Sequence, residues 1–165
     1  MSSDKNILRI IGIDPGLGIT GYGIIDADFR KPILKEAGCI KIKSNQSLEK
    51  RLKYLFDETS NLIKLFNPDV MVVEELYSHY NHPKTSIIMG HARGVIFLAA
   101  AVNNLLVKSF AANKIKMSLT GNGHSSKLQM QNMVKNRFSL DKLPEPPDVA
   151  DAIAVALCYC NTLNY

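Results

Sequence analysis

Acidic side chains stand at places in this chain where an apolar segment ends or a helix begins. Asp14 closes the run Ile10-Ile11-Gly12-Ile13, and Glu74 and Glu75 close Val70-Met71-Val72-Val73. Further on, Asp148-Val149-Ala150-Asp151 spaces two carboxylates three apart, on one face of a helix's first turn. A carboxylate at the end of a buried strand is costly without a partner. Gathered together, four such groups make a hard-oxygen site for divalent cations. That is the requirement for two-metal phosphodiester hydrolysis, in which one ion activates a water and the other stabilises the leaving oxygen. Each acid also has an ordinary use: Asp148 and Asp151 can cap a helix and complement its dipole, and Asp14 can serve a turn. Their joint occurrence favours the metal site. Alternation along a strand sends only one of Glu74 and Glu75 towards it, and spacing does not choose between them.

The cations are placed as unevenly as the acids. Residues 1 to 75 hold eleven basic and eleven acidic side chains, whereas residues 76 to 140 hold eight basic ones and no Asp or Glu. The net charge of +5 is therefore regional. Lys84, Arg93, Lys108, Lys114, Lys116, Lys127, Lys135 and Arg137 create a field suited to a polyanion such as nucleic acid. Histidines 79, 82, 91 and 124 lack zinc-ligand spacing. Three cysteines without ligand-like pairs fit a reducing cytoplasm, and the polar Met1 to Asn6 carries no secretory segment. The longest apolar run, Val95 to Val102, is short for a membrane span, so no membrane partner is expected.

A chain of 165 residues suits one domain, taken as 1–165. Residues 7 to 14, 20 to 26 and 34 to 43 read as strands, and Leu48 to Phe66 follows helical spacing behind Ser47 as N-cap. Val70 to Glu74 is a buried strand, 84 to 103 a helix, and Leu105 to Phe110 a strand. Helices follow near 113 to 119, 126 to 138 and 147 to 161, while 77 to 85 reads as a loop. Gly90 and Gly94, four apart in the long helix, predict close approach by another element. The pattern is an α/β protein with a mixed five-stranded sheet, three antiparallel strands and then two parallel, flanked by helices on both faces. Gly16-Leu17-Gly18-Ile19-Thr20-Gly21 spells G-x-G-x-x-G, but strand-like residues follow it. It reads as a hairpin that presents Asp14, not as a dinucleotide cradle.

Taken in order, I-G-I-D-P-G at 11 to 16, T-G-Y-G at 20 to 23, V-E-E-L-Y at 73 to 77, G-H-A-R-G at 90 to 94, the Lys116 to Gly123 segment and D-V-A-D-A at 148 to 152 resemble the RuvC family of Holliday-junction resolvases, which are ribonuclease H-like nucleases. The resemblance covers nearly the whole chain. It implies a metal-dependent endonuclease that nicks two strands of like polarity at a four-way DNA junction, in recombination and repair. It matches Asp14, Glu74, Asp148 and Asp151 to the family's catalytic metal ligands, for two Mg²⁺ with Mn²⁺ as substitute, and so selects Glu74 over Glu75. Lys116 and Lys127 match basic residues that serve DNA binding or catalysis, with Lys127 steadying the charge of the reacting phosphate. Tyr77 falls where the family carries a base-stacking phenylalanine. Lys84, Arg93 and Lys114 join these as DNA contacts on charge. The resemblance also implies a homodimer, with helix 84 to 103 as its candidate interface, working beside RuvA and RuvB. The competing readings are an actin-like or sugar-kinase ATPase, which opens on a similar turn but needs a second lobe, and a noncatalytic junction-binding protein.

Overall fold

The computed structural model of the chain describes residues 7–28, 31–76 and 83–163. Strands β1 (Leu8–Asp14), β2 (Ile19–Ala27) and β3 (Ile33–Lys41) form an antiparallel meander. They are followed by α1 (Leu48–Phe66), β4 (Val70–Glu74), α2 (Pro83–Val102), β5 (Leu106–Phe110), α3 (Ala112–Thr120), α4 (Lys127–Phe138) and α5 (Pro147–Leu163). The sheet order is β3-β2-β1-β4-β5, with β4 parallel to β1 and β5 parallel to β4. This is the mixed sheet expected from the sequence, and its arrangement is ribonuclease H-like.

Both faces of the central strands are covered, which is why β1 and β4 are apolar throughout. Alternation sorts their side chains into two cores. Ile10, Ile25, Val70 and Val72 pack with α3, α4 and α5, whereas Ile11, Ile13, Ile24, Met71 and Val73 pack with α1 and α2. Helix α1 ends on Asn67, whose N–H donates to the Ile63 carbonyl and whose left-handed φ of 45° turns the chain out of the helix before Pro68. Ser47 occupies the N-cap position, but its hydroxyl bonds Glu49 and no backbone N–H.

Three local expectations change. Helix α2 begins at Pro83, inside the stretch read as loop, because proline suits a first helical turn; residues 77 to 82 lie outside the described residues. Among the described residues nothing lies within 4 Å of a Cβ built on Gly94, and one on Gly90 meets only Leu76 Cδ2, at 3.8 Å. The expected close approach is thus absent among the described residues. By length and mean hydropathy (1.5 over its best window), α2 also meets the criterion for a membrane-crossing helix, which the run-length argument did not anticipate; only 22% of that window is buried.

The glycines of β1 and β2 do have a close neighbour. Helix α5 lies across them with its backbone nearly on the sheet. A Cβ on Gly12 would stand 2.2 Å from the Ala152 carbonyl oxygen, one on Gly21 would stand 2.0 Å from that of Asp148, and one on Gly23 would meet Ile153 at 2.8 Å. Helices α3 and α4 pack on α5 as well, and Ala150, Ala152, Ala154 and Ala156 are fully buried, Ala156 against β1, where its Cβ lies 2.8 Å from the position a Gly12 Cβ would take. The loop from Pro15 to Gly18 joins β1 to its antiparallel neighbour and opens no helix, which removes the dinucleotide reading. Gly21→Ala should destabilise the fold by about 3 kcal/mol, since the clash is with backbone that no rotamer relieves. Gly18→Ala, with nothing within 4 Å, should stay within about 0.5 kcal/mol of the parent in urea denaturation.

Candidate active site

Asp14 is in phase with Ile10 and Gly12 and therefore turns to the α5 side of the sheet. In β4, Glu74 is in phase with Val70 and Val72 and turns the same way. Glu75 faces the other layer and is exposed, its backbone N–H donating to the Phe110 carbonyl at 2.9 Å. The choice between the two glutamates is thus a matter of strand phase. Register sets Ile13 beside Val73, so Asp14 and Glu74 leave adjacent parallel strands at the same edge. The first turn of α5, brought down by the glycines, adds Asp148 and Asp151.

These four carboxylates line one cavity of about 430 Å³. Lys116 from α3 and Lys127 from α4 line it as well, with Met89, Ile115 and Met130 among its apolar walls. The Lys127 ammonium lies 3.9 Å from Asp151 Oδ2, a long and largely solvated pair that contributes little to stability. Burial, reinforced by Asp151, Glu74 and Asp148, pushes the Asp14 carboxyl up to about 8, against a pull downward from Lys127. Burial and then Asp151 raise Glu74, opposed by Lys116 and Lys127. Asp151 is raised by burial and by Asp148, opposed by the same lysines. Among the described residues no three acidic, histidine or cysteine side chains close around a common point. The four carboxylates share the lining of one cavity. The donor set, all carboxylate oxygens with no sulfur or imidazole, fits hard divalent cations such as Mg²⁺ or Mn²⁺.

The loop that follows Asp14 is fastened at three successive residues. The buried Thr20 hydroxyl donates to the Gly16 carbonyl at 2.6 Å and accepts from Gly16 N–H at 3.1 Å. Arg51 Nη2 on α1 donates to the Leu17 carbonyl at 2.7 Å, and Ile42 N–H donates to that of Gly18 at 2.9 Å. Sequence reasoning did not find Arg51, which sits among ordinary polar positions of an amphipathic helix and carries no signal of its own.

The other expected site residues are dispersed. Arg93 is half-buried on α2, donating to the Glu74 carbonyl at 3.3 Å and to Ser109 Oγ at 2.9 Å while lying 4.2 Å over the Phe97 ring. Burial pushes its guanidinium down from the usual range. It braces the strand that carries Glu74 and does not line the cavity. Lys84 is exposed at the start of α2, and Lys114 lies on another face of α3, 4.6 Å from the Phe110 centroid. Tyr77 lies outside the described residues.

Sheet order and a carboxylate cleft between β1, β4 and α5 place the chain among ribonuclease H-like proteins. The family model described as crossover junction endodeoxyribonuclease RuvC matches residues 10–159. Crossover junction endodeoxyribonuclease RuvC of Rhodopirellula baltica is 44% identical over 149 residues, which cover 90% of this chain and 84% of the relative. That of Alkaliphilus oremlandii is 41% identical over 156 residues, 94% of each. Thermus thermophilus RuvC, solved in complex with Holliday junction substrate, superposes with a TM-score of 0.87 at 25% identity, covering 94% of each chain. The chain belongs to the RuvC family of crossover junction endodeoxyribonucleases.

Linkage gives the raised Asp14 pKa a definite sign. The folded state holds this proton more tightly than the unfolded chain, whose carboxyl titrates near 3.8. Cation-free protein should therefore lose stability as pH rises from about 4 to about 8 and level off above. Asp14→Asn should flatten that decline and, after allowance for solvent screening, gain about 2 kcal/mol at pH 8.5. Urea midpoints measured in EDTA across this range check both outcomes.

Proposed function

We propose that this protein is a metal-dependent endonuclease that resolves Holliday junctions by paired, symmetric nicks, in homologous recombination and DNA repair. The observation that carries this reading is the meeting of Asp14, Glu74, Asp148 and Asp151, from β1, β4 and α5, in one cavity with Lys116 and Lys127. Membership of the RuvC family supports the junction as substrate. Asp14, Glu74, Asp148 and Asp151 would hold two Mg²⁺ ions, with Mn²⁺ able to substitute. When bound, the ions supply activation of water and neutralisation of the leaving oxygen.

The chain's own residues do the rest. The anchored loop keeps Asp14 at a fixed depth, so the carboxylates need little rearrangement to act together. Lys116 and Lys127 put positive charge beside the acids, where it orients the scissile phosphate and stabilises charge that builds in the transition state. Hydrolysis joins the phosphorus to a water oxygen and breaks its bond to the 3′ oxygen, leaving a 5′-phosphate and a 3′-hydroxyl. Tyr77, Lys84 and Lys114 complete the DNA contacts of this proposal, Tyr77 by stacking and the two lysines by charge. Arg93 would act by bracing β4. RuvA and RuvB are its proposed partners, in the cytoplasm.

Two symmetric nicks require two sites, hence a C2 homodimer. Helix α2 supports one: Ile87, His91, Gly94, Leu98 and Val102 fall on one exposed stripe, and Ile87, Leu98 and Val102 are 59%, 55% and 61% exposed. Glycine at the stripe's centre permits two helices to approach closely. Leu98→Glu should convert the dimer to monomers in sedimentation and uncouple the two nicks. A wild-type monomer that still resolves junctions overturns the interface.

The central test incubates the protein with a synthetic four-way junction, with and without Mg²⁺, and maps the cuts. Asp14→Asn should lower nicking by a factor on the order of 10² or more while junction binding persists on the basic surface. Undiminished cleavage by that variant rules out the assignment.

A further inference from the structure

Helix α1 packs on the face of the sheet opposite the acids, yet one of its side chains reaches the loop that walls the cleft. Arg51 stands near the start of that helix, its own N–H fixed on the Ser47 carbonyl at 3.1 Å. From there Nη2 donates to the Leu17 carbonyl at 2.7 Å. Leu17 is thereby held twice, since its side chain, 3% exposed, is sunk in the core with Ile13, Ile42 and Leu55.

Leu17 lies three residues beyond Asp14, and the residues between them, Pro15 and Gly16, line the cavity. The loop is too tight to absorb a displacement by itself: a Cβ on Gly16 would stand 2.1 Å from the Ile19 carbonyl oxygen. A shift at Leu17 is therefore passed to Asp14. The bonds at Gly16 and Gly18 come from the meander that carries the loop, through Thr20 of β2 and Ile42 just past β3. Among the described residues, Arg51 is what ties the loop to the helical layer behind it.

As a stabilising contact the guanidinium is poorly employed. Its Nε is buried without a hydrogen-bond partner, and no carboxylate pairs with it among the described residues. A buried donor left idle costs stability, so its retention asks for another reason. Arg51 does not line the cavity, and the cation that acts on Asp14 is Lys127. Its influence on the cleft is mechanical, not electrostatic.

We propose that Arg51 is a positioning residue of the carboxylate cleft: by holding the Leu17 carbonyl it sets the place of Asp14, and through it cation binding and the rate of nicking. The inference rests on the nuclease reading of the cleft and adds to it a residue that touches neither DNA nor metal.

The test reads cation binding by the full chain without DNA, by calorimetric titration with Mn²⁺, and then nicking of a synthetic four-way junction in Mg²⁺. Arg51→Met keeps the apolar stem and removes the donors, while Lys50→Gln, exposed on the same helix, controls for lost charge and should match the parent. Arg51→Met should raise the Mn²⁺ dissociation constant several-fold with the number of ions bound unchanged. Its kcat should fall by a factor on the order of 10 to 10², with KM and junction affinity in EDTA held within about twofold. A merely structural role predicts otherwise, because partial unfolding lowers the number of ions bound and leaves the dissociation constant of the folded fraction where it was. Arg51→Lys, whose ammonium ends one bond short of Nη2, should show a smaller loss of the same kind, and it carries the test if Arg51→Met fails to fold. A parent-like dissociation constant and kcat in the folded variants overturn the proposal, as does a loss confined to KM. A parent whose Mn²⁺ affinity depends on Arg51 but which never nicks junctions leaves the positioning of Asp14 standing and sinks the nuclease reading, so the two failures are distinguishable.

Discussion

The contact between the backbone of α5 and the glycines of β1 and β2 is the constraint on which the rest depends. A helix normally rests on a sheet through layers of side chains. Here Gly12, Gly21 and Gly23 remove one layer, and the carbonyls of Asp148 and Ala152 come to where Cβ atoms would otherwise stand. Only at that depth does the first turn of α5 reach the edge where Asp14 and Glu74 emerge. The alanines of α5 belong to the same solution, since small residues allow α3 and α4 to close over the helix and carry Lys116 and Lys127 to the cleft.

What is gathered there opposes being gathered. Three of the four carboxylates are pushed towards their protonated forms, Asp14 furthest, by burial and by one another. The fold sets against this a core of fully buried Ile, Val and Met on β1 and β4, and a loop bonded at Gly16, Leu17 and Gly18 to three different parts of the chain. A cluster that is unfavourable by itself and is held by its scaffold is the pattern of a functional site, where local stability is given up for function.

The two faces of the sheet divide the labour. The α5 face holds the acids with Lys116 and Lys127 beside them. The opposite face holds α2, whose Ile87, Leu98 and Val102 are exposed among the described residues. Arg93 links the two layers, since it reaches from α2 to the Glu74 carbonyl and to Ser109 and so braces the strand that carries a site residue.

Much of this was legible beforehand for a physical reason: strand alternation, helical spacing, proline and glycine punctuation and charge are local properties. They placed the strands and helices, marked Asp14, the Glu74–Glu75 pair, Asp148 and Asp151, and exposed the acid-free stretch from 76 to 140. Other features depend on what lies opposite a residue, which no local pattern records. The glycines of α2 looked like a contact and meet nothing close among the described residues, whereas those of β1 and β2 looked like turn chemistry and prove to be the seat of α5. Arg93 reads as a surface cation and is an internal brace, and Arg51 gave no sign that it holds the loop beside Asp14. The choice of Glu74 over Glu75 needed the phase of β4 against a helix that comes more than seventy residues later. Chemistry and periodicity were written along the chain, but which groups meet was decided only when distant segments packed, because packing is set by shape and depth between elements and not by order within them.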